Sequence, residues 1–276
     1  MDVKVTILVE NTTPSPKITG EYGLAVLVTL DGYSVLLDTG CDSALLANSL
    51  AMGIKLEQIE DVVISHGHFD HTGGMLSLLN KKTVKRVYAH PDIFSHRLLP
   101  LKNGKFKDIG CVFNTKQLDD AGVELILTKE FTEIFPGVFV TGQIPRVTDY
   151  EDTGGDFKVE VKGNLLDDKL NDDMSLIINH PKGLIIISGC AHSGMINTIN
   201  HARQQTGQKK VLAYIGGTHL MSASKSRIDK TIKELKTYNI EKIIVGHCTG
   251  FNACAAMYNE LGPAVIKGDA GTSIKF

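Results

Sequence analysis

One short polar run constrains this chain more than any other feature. Residues 65–74 read SHGHFDHTGG and directly follow the apolar segment Asp61–Ser65, which we predict to be a buried strand. Alternation along an extended backbone sends His66 and His68 the same way as the strand ends, and Asp70 and His71 then fall on a tight turn. Four side chains able to bind a metal ion therefore lie within six residues.

The clustering itself argues for metal binding. A single histidine at this place would be interpreted as a hydrogen-bonded core or capping residue. Several imidazoles and a carboxylate packed together destabilise a fold unless something coordinates them. One cation cannot easily use all four groups from so short a backbone, so the run predicts two neighbouring divalent cations. Gly67, Gly73 and Gly74 let the backbone approach them closely.

Strand and helix patterns alternate on both sides of a weaker middle segment. The first part predicts strands Val3–Val9, Leu24–Leu30, Tyr33–Leu37, Asp61–Ser65 and Arg86–Ala89, and helices Ser43–Met52 and Met75–Leu79. The last part predicts strands Met174–Asn179, Gly183–Ser188, Val211–Ile215, Lys242–Val245 and Ala264–Lys267, and helices Met195–Gln205, Ser226–Tyr238 and Ala253–Leu261. Two halves with sheet cores and outer helices fit an α/β (α+β) fold, a four-layer αββα sandwich, as one domain over residues 1–276.

The middle segment, residues 93–170, is predicted to be an insertion. Near its end, residues 149–173 hold nine acidic residues against three lysines. For most of these charges we expect a solvated surface excursion. The alternative is a lid or substrate-selecting insertion, because long loops inside compact domains are usually functional.

Composition narrows the classes of protein. With 29 Lys and Arg against 31 Asp and Glu, the chain has no basic excess, and no basic arm interleaved with aromatic residues is visible, so nucleic acid is not an expected partner. Its apolar runs are far shorter than a membrane span, and its start does not resemble a signal peptide. Five widely spaced cysteines without a C-x-x-C pair favour a reducing cytoplasm over a disulfide framework.

Seven motifs together carry a family resemblance. They are residues 37–40 (LDTG), 65–74 (SHGHFDHTGG), 141–146 (TGQIPR), 172–176 (DDMSL), 188–194 (SGCAHSG), 216–220 (GGTHL) and 246–250 (GHCTG). The chain resembles the metallo-β-lactamase superfamily, and within it the dihydropterin-methyl-(ribofuranosyl)aminobenzene 5′-phosphate synthase-like branch. The resemblance implies an αββα metallo-β-lactamase fold with a dinuclear metal site.

The resemblance also implies roles for individual residues. The implied ligands are His66, His68 and His192 for a first cation, and Asp70, His71 and His247 for a second. Asp38 would orient the ligands through hydrogen bonds. Cys190 occupies the position where most relatives have an aspartate bridging both metals, and it is interpreted either as a thiolate ligand or as a buried neutral thiol. Histidine-rich ligation favours zinc, and manganese or iron stays open.

Two further residues have open interpretations. His219 follows the predicted strand Val211–Ile215 and two glycines, and it is interpreted as a substrate or leaving-group contact or as a buried histidine bonded to backbone. Arg146 is interpreted as a bidentate phosphate ligand or as an ordinary solvated arginine. Catalytic roles are expected for Asp70 and His219.

Three functions follow. The first is a hydrolase of a small phosphate ester or related substrate that uses a metal-bound hydroxide. The second is a transferase that condenses dihydropterin-methyl diphosphate with ribofuranosylaminobenzene 5′-phosphate. The third is a non-catalytic sensor of a small ligand. The expected partner is a small phosphorylated or pterin-like molecule, not a membrane, and a homodimer stays open.

Overall fold

The computed structural model describes residues 1–276, and their backbone contacts group them into two compact units. The first unit comprises Met1–Thr128, Asp156–Asp172 and Asp269–Phe276, and the second comprises Lys129–Gly155 and Asp173–Gly268. Each unit contains a seven-stranded sheet of its own. That the chain forms one domain stays a prediction.

Eighteen strands and seven α-helices make up the chain. The strands are β1 (Val3–Val9), β2 (Ala25–Leu30), β3 (Tyr33–Leu37), β4 (Asp61–Val63), β5 (Arg86–Ala89), β6 (Arg97–Pro100), β7 (Phe106–Asp108), β8 (Glu124–Leu127), β9 (Thr132–Phe135), β10 (Val138–Val140), β11 (Lys158–Val161), β12 (Asn164–Asp167), β13 (Ser175–His180), β14 (Gly183–Ser188), β15 (Val211–Gly216), β16 (Lys242–Val245), β17 (Val265–Lys267) and β18 (Ser273–Lys275). The helices are α1 (Ala44–Ala51), α2 (Phe69–Thr72), α3 (Met75–Leu79), α4 (Thr115–Asp120), α5 (Met195–Thr206), α6 (Lys225–Tyr238) and α7 (Phe251–Leu261). None of these helices combines the length and the apolar character that a membrane crossing requires.

The large sheet of the first unit has the strand order β18-β1-β2-β3-β4-β5-β8. Antiparallel pairing of β1, β2 and β3 gives way to parallel pairing of β3, β4, β5 and β8. The turn from β2 to β3 is made by Asp31 and Gly32, whose φ angles of 46° and 90° suit a tight hairpin turn. A smaller sheet has the order β12-β11-β6-β7.

The parallel strands of the first unit are apolar because helices cover them. Val62 and Val87 belong to one buried cluster with Leu45 of α1 and Leu78 of α3. Such strands bury both faces, so their polar side chains collect beyond the strand ends. The carboxyl ends of β3, β4 and β5 therefore form the edge at which this unit carries its polar side chains.

The second unit repeats this plan with the strand order β17-β16-β15-β14-β13-β10-β9. The hairpin β13–β14 is antiparallel, and β14 to β17 are parallel and linked by α5, α6 and α7. Ile186, Tyr214 and Ile232 belong to the core that these helices form with the sheet. Again the carboxyl ends of parallel neighbours, here β14, β15 and β16, point to one edge.

The segment predicted as an insertion contains strands of both large sheets. Within residues 93–170, β8 joins the first sheet, and β9 and β10 join the second. Of the nine acidic residues at positions 149–173, which begin in this segment and extend just past it, five are exposed as expected. The surface interpretation, made for most of these charges, does not extend to the remaining four, which are buried: Glu151, Asp168, Asp172 and Asp173. Each of them accepts hydrogen bonds that sequence patterns do not reveal.

Candidate metal centre

The polar run after β4 folds into a compact group of buried ligands in the first unit. His66, His68, Asp70 and His71 are each at most 6% exposed. The Nε2 atom of His66 lies 3.0 Å from Nδ1 of His68, and Nε2 of His71 lies 3.7 Å from Oδ2 of Asp70. The rings of His66 and His71 have centroids 4.2 Å apart. The structure thus brings together the four side chains that the spacing singled out.

Asp38 fixes the orientation of this group from the end of β3. Its carboxylate is fully buried, and its backbone adopts a left-handed φ of 61°. Oδ1 accepts the backbone N–H of Ser65 at 2.7 Å, and Oδ2 accepts the Ser65 hydroxyl and Nδ1–H of His71, each at 2.7 Å. Because an ionised carboxylate only accepts hydrogen bonds, the proton of a neutral His71 ring is on Nδ1. Its Nε2 therefore carries the lone pair that a metal needs.

Ser65 transmits the same constraint to His66. The hydroxyl proton of Ser65 is donated to Asp38, so its oxygen is the acceptor for Nδ1–H of His66 at 2.9 Å. The lone pair of a neutral His66 ring is then on Nε2, which lies 3.0 Å from His68 Nδ1. Two nitrogen ligands of one tetrahedral zinc ion are about 3.3 Å apart. The spacing and the donor type fit a shared cation.

A buried ionic network lies behind the backbone of the run. The N–H of Gly67 donates to Oδ2 of Asp172 at 2.8 Å, and Oδ1 of Asp172 pairs with Nη2 of Arg97 at 2.7 Å. Arg97, only 1% exposed, also pairs through Nε with Asp168 at 2.8 Å. A Cβ at position 67 would collide with the carbonyl oxygen of Ile93, so this close approach requires glycine. Sequence reasoning missed the network; its only signal was the acidic segment and the paired aspartates.

In the second unit, three loops after parallel strands carry the other predicted residues. Cys190 and His192 follow β14, His219 follows β15, and His247 follows β16. Each loop holds a residue other than glycine in the left-handed region: Ala191 at φ 54°, His219 at 45° and His247 at 51°. Such conformations cost about 1–3 kcal/mol each and cluster at functional sites.

The potential ligand atoms of these loops form two overlapping groups, each with its atoms within 4.8 Å of one another. One group is Cys190, His192 and His219, and the other is Cys190, His247 and Cys248. The rings of His192 and His219 have centroids 4.3 Å apart. Cys190 therefore lies at ligand distance from His192 and also from His247. The structure also places His219 at ligand distance, an interpretation that the sequence had not suggested.

The loop that carries His192 is held by hydrogen bonds on several sides. Nδ1–H of His192 donates to the carbonyl oxygen of Thr153 at 2.8 Å, which leaves the lone pair of a neutral ring on Nε2. Asp173 accepts the N–H of Ser193 at 2.8 Å. Nη1 of Arg146 donates to the carbonyl oxygen of His192 at 2.6 Å. Arg146 thus braces this loop, and phosphate binding by its guanidinium stays a prediction.

Two shifted pKa values accompany this geometry. Burial raises the pKa of the Cys248 thiol, but the hydrogen bond with Cys190 and the charges of His219 and His247 outweigh burial and hold that pKa well below its usual value. Burial also raises the pKa of Asp173, against the opposing hydrogen bond from Ser193.

The donors of each unit fit a divalent cation. The first unit offers imidazoles and a carboxylate, and the second offers imidazoles and thiols. Both sets suit borderline ions such as zinc better than magnesium or calcium, which prefer oxygen ligands. Sequence reasoning singled out the other donors, with Cys190 left open and His219 interpreted only as a substrate contact or a core residue, but it did not single out Cys248. Its position next to His247 was the available signal.

Comparison with known proteins agrees with this chemistry. A sequence model described as the metallo-β-lactamase superfamily matches residues 18–247. A 7,8-dihydropterin-6-methyl-4-(β-D-ribofuranosyl)-aminobenzene-5′-phosphate synthase from Methanocaldococcus jannaschii is 31% identical over 268 residues. This alignment covers 93% of the chain and 90% of that protein.

Solved structures show similarity over almost the whole chain. A metal-dependent hydrolase of the β-lactamase superfamily aligns with a TM-score of 0.85 and 26% identity, covering 99% of this chain and 98% of the other. A diphosphatase from the PhnP family aligns with a TM-score of 0.57 and 15% identity over 100% of this chain and 98% of the other, a similarity of fold alone. The predicted fold class is confirmed.

Proposed function

This chain belongs to the metallo-β-lactamase superfamily, and from that premise we propose that it is a metal-dependent hydrolase of a small phosphate ester or a related substrate. If two divalent cations bind, with zinc favoured, His66, His68, Asp70 and His71 of the first unit and Cys190, His192 and His247 of the second would be their ligands. When bound, such cations lower the pKa of water toward neutrality and neutralise charge that develops on a leaving oxygen. We choose a small substrate because the proteins that this chain resembles suggest one.

One observation carries the proposal: Asp38 and Ser65 fix where the protons of two ligand histidines reside. Asp38 accepts from His71, and Ser65 relays the same constraint to His66. A histidine that only fills a core needs no such control of its tautomer. Metal-binding histidines commonly have it, because the lone pair must face the ion.

In this proposal the remaining polar residues act on the substrate and its protons. Asp70 adds the negative charge that imidazoles lack, and its carboxylate can accept a proton from the attacking water. His219 donates a proton to the departing group from its place beside His192. Arg146 contacts phosphate through the guanidinium N–H groups that do not donate to the carbonyl oxygen of His192.

The test offers an activated phosphodiester and a phosphomonoester to the zinc-loaded protein. We expect turnover, and we expect His68→Ala to lower it by about 100-fold or more because a buried ligand is lost. His96→Ala is the matched control, since His96 is half exposed and pairs with Glu160. Zinc-loaded protein that turns over neither ester, or an active His68→Ala variant, would contradict the proposal.

A second candidate function is favoured by the synthase relative. That protein is 31% identical over 93% of this chain, so the same donors could serve a transferase that condenses dihydropterin-methyl diphosphate with ribofuranosylaminobenzene 5′-phosphate. A hydrolase releases product from one substrate alone, whereas this transferase needs both. Release of diphosphate only when donor and acceptor are both present would therefore favour the second function over the first.

A further inference from the structure

A buried pair of thiols accompanies the final histidine of the second unit. Cys190, His247 and Cys248 offer three ligand atoms within 4.8 Å of one another, and none of the three residues is more than 6% exposed. From this geometry we propose that Cys248 is a metal ligand together with Cys190 and His247, so that two thiolates and one imidazole hold a borderline cation such as zinc. The assignment rests on the proposed metal dependence and adds a ligand to it.

The sulfur of Cys248 is held by the backbone around it. The N–H of His219 points at Sγ of Cys248 at 3.3 Å, and this sulfur lies 3.6 Å from the carbonyl oxygen of Cys190. A backbone N–H directed at sulfur favours the negatively charged thiolate, as it favours other anions. The contacts define one position for the sulfur, between the loops that follow β14 and β15.

Gly217 makes room for this arrangement. A Cβ built at position 217 would lie 2.5 Å from Sγ of Cys248 and 3.2 Å from Cα of Cys190. Any side chain there would displace the sulfur or the backbone of Cys190. The pair Gly216-Gly217 therefore does more than end β15, because its second glycine admits the thiol.

The competing interpretation is a neutral thiol that donates weakly to the carbonyl oxygen of Cys190. Buried cysteines without a ligand are common, so burial alone does not separate the two interpretations. The neighbouring donor groups do separate the metal ligand from the neutral thiol. The other free cysteines, Cys41, Cys111 and Cys254, belong to no comparable group of donors. Only Cys190 and Cys248 lie beside each other and beside an imidazole.

Two thiolates have a chemical consequence. Sulfur ligands favour zinc and cobalt over magnesium, calcium and manganese, which are bound through oxygen. We therefore expect this cation to resist exchange with magnesium or manganese even when either is in large excess.

Cobalt substitution tests the assignment directly. The full chain is stripped of metal and titrated with Co²⁺, and bound cobalt is counted by elemental analysis. Thiolate ligands give an intense charge-transfer absorption in the near ultraviolet, which imidazole and carboxylate do not. We expect this band in the unmutated protein, a loss of about half per bound cobalt in Cys248→Ser and in Cys190→Ser, and its absence in the double variant, because each change removes one of two thiolates. Cys254→Ser is the control and should leave the band unchanged.

The outcomes separate this assignment from the proposed function. Cobalt bound without the band, or a Cys248→Ser variant with the full band, overturns the role of Cys248 and leaves metal dependence intact. A protein that takes up neither cobalt nor zinc overturns both. Where Cys248→Ser fails to fold, cadmium NMR of the unmutated protein counts the sulfur ligands. Two sulfurs on one cadmium support the assignment, and one or none overturns it.

Discussion

In the first unit, single residues determine which ring nitrogen of a ligand histidine carries the proton. Asp38 is one buried carboxylate in a left-handed backbone conformation, and it accepts three hydrogen bonds from Ser65 and His71. Its position after β3 puts it next to the run that follows β4, because β3 and β4 are parallel neighbours. The residue that controls the ligands is therefore not itself a ligand in our proposal.

Asp38→Asn should weaken metal binding by about 10–100-fold, the usual effect of removing the partner of a ligand histidine. An amide has only one acceptor oxygen, so it cannot satisfy all three donors that the carboxylate accepts. Competition with a chelator measures the affinity. Asp42→Asn, on an exposed residue of the same loop, is the control. Equal zinc affinity in both variants would show that Asp38 does not set the tautomers.

Residue type and spacing were enough to single out His66, His68, Asp70 and His71, because four donors in six residues are a local signal. They were not enough for Asp172 or Cys248. An aspartate in an acidic segment and a cysteine after a histidine have ordinary interpretations in sequence. Only the packed chain shows that the first reaches the N–H of Gly67 and the second approaches Cys190.

At the scale of elements, the loops after the strands depend on supports from distant parts of the chain. Asp172 lies just before β13, yet its carboxylate holds the loop after β4 and neutralises Arg97 within the first unit. Arg97 is fully buried with Asp168 and Asp172 as its charged partners. Removing one of them leaves a guanidinium only partly compensated, away from water.

Asp172→Ala should therefore lower the free energy of unfolding by about 3–5 kcal/mol, as expected when one partner of a buried ion pair is removed. Urea unfolding measures the change. Asp167→Ala is the control, because Asp167 is 85% exposed where it pairs with Lys158, and such pairs contribute little. A loss in Asp172→Ala no larger than that in Asp167→Ala would mean that the network is dispensable.

Helix α5 has an unusual N-terminal cap. Its N-cap residue is Gly194, which has no side chain, and Glu151 instead accepts the N–H groups of Ile196 and Asn197 at 2.8 and 2.9 Å. A carboxylate suits the positive end of a helix dipole. Burial nevertheless raises the pKa of Glu151 above its ordinary value of 4.5, and these hydrogen bonds only partly oppose the shift.

The raised pKa of Glu151 makes stability depend on pH in a defined direction. As pH rises above 4.5 the unfolded chain releases this proton before the folded chain does, so the contribution to stability falls until pH passes the raised pKa. Glu151→Gln cannot titrate, so its unfolding free energy should rise relative to the unmutated protein between about pH 4 and about pH 8. Urea unfolding at both pH values measures this. Glu57→Gln, on an exposed residue, should show no such trend; a parallel pH dependence in Glu151→Gln and the unmutated protein would be contrary evidence.

Element boundaries followed from the sequence wherever periodicity was local. Strands Val3–Val9 and Lys242–Val245 were predicted with their observed bounds, because continuous apolar or alternating runs bury one or both faces. Strand β18, Ser273–Lys275, was missed since Ile274 is its only apolar residue. It forms because the edge of β1 is available to pair, with Lys4 opposite Lys275. Tertiary pairing of this kind leaves no periodic signal in the segment itself.

At the scale of the whole molecule, the metal would act as a stabilising ligand. The candidate donors lie on loops with strained residues such as Asp38, Ala191 and His247, and they are buried rather than solvated. A cation that binds only the folded chain stabilises it by about 2.7 kcal/mol when its free concentration is 100 times Kd. For a chain of this length that corresponds to roughly 5 °C in Tm.

Removal of metal by a chelator should therefore lower Tm by about that amount relative to protein in excess zinc. His68→Ala should show a smaller zinc-dependent shift, because one donor of the set is missing, whereas His96→Ala should keep the full shift. Calorimetric melting at fixed protein concentration, with the chelator alone also added to His68→Ala, separates metal loss from direct effects of the chelator. Identical melting of the unmutated protein in chelator and in zinc would mean that the folded chain has no preference for the ion, and the buried histidines would then need another explanation.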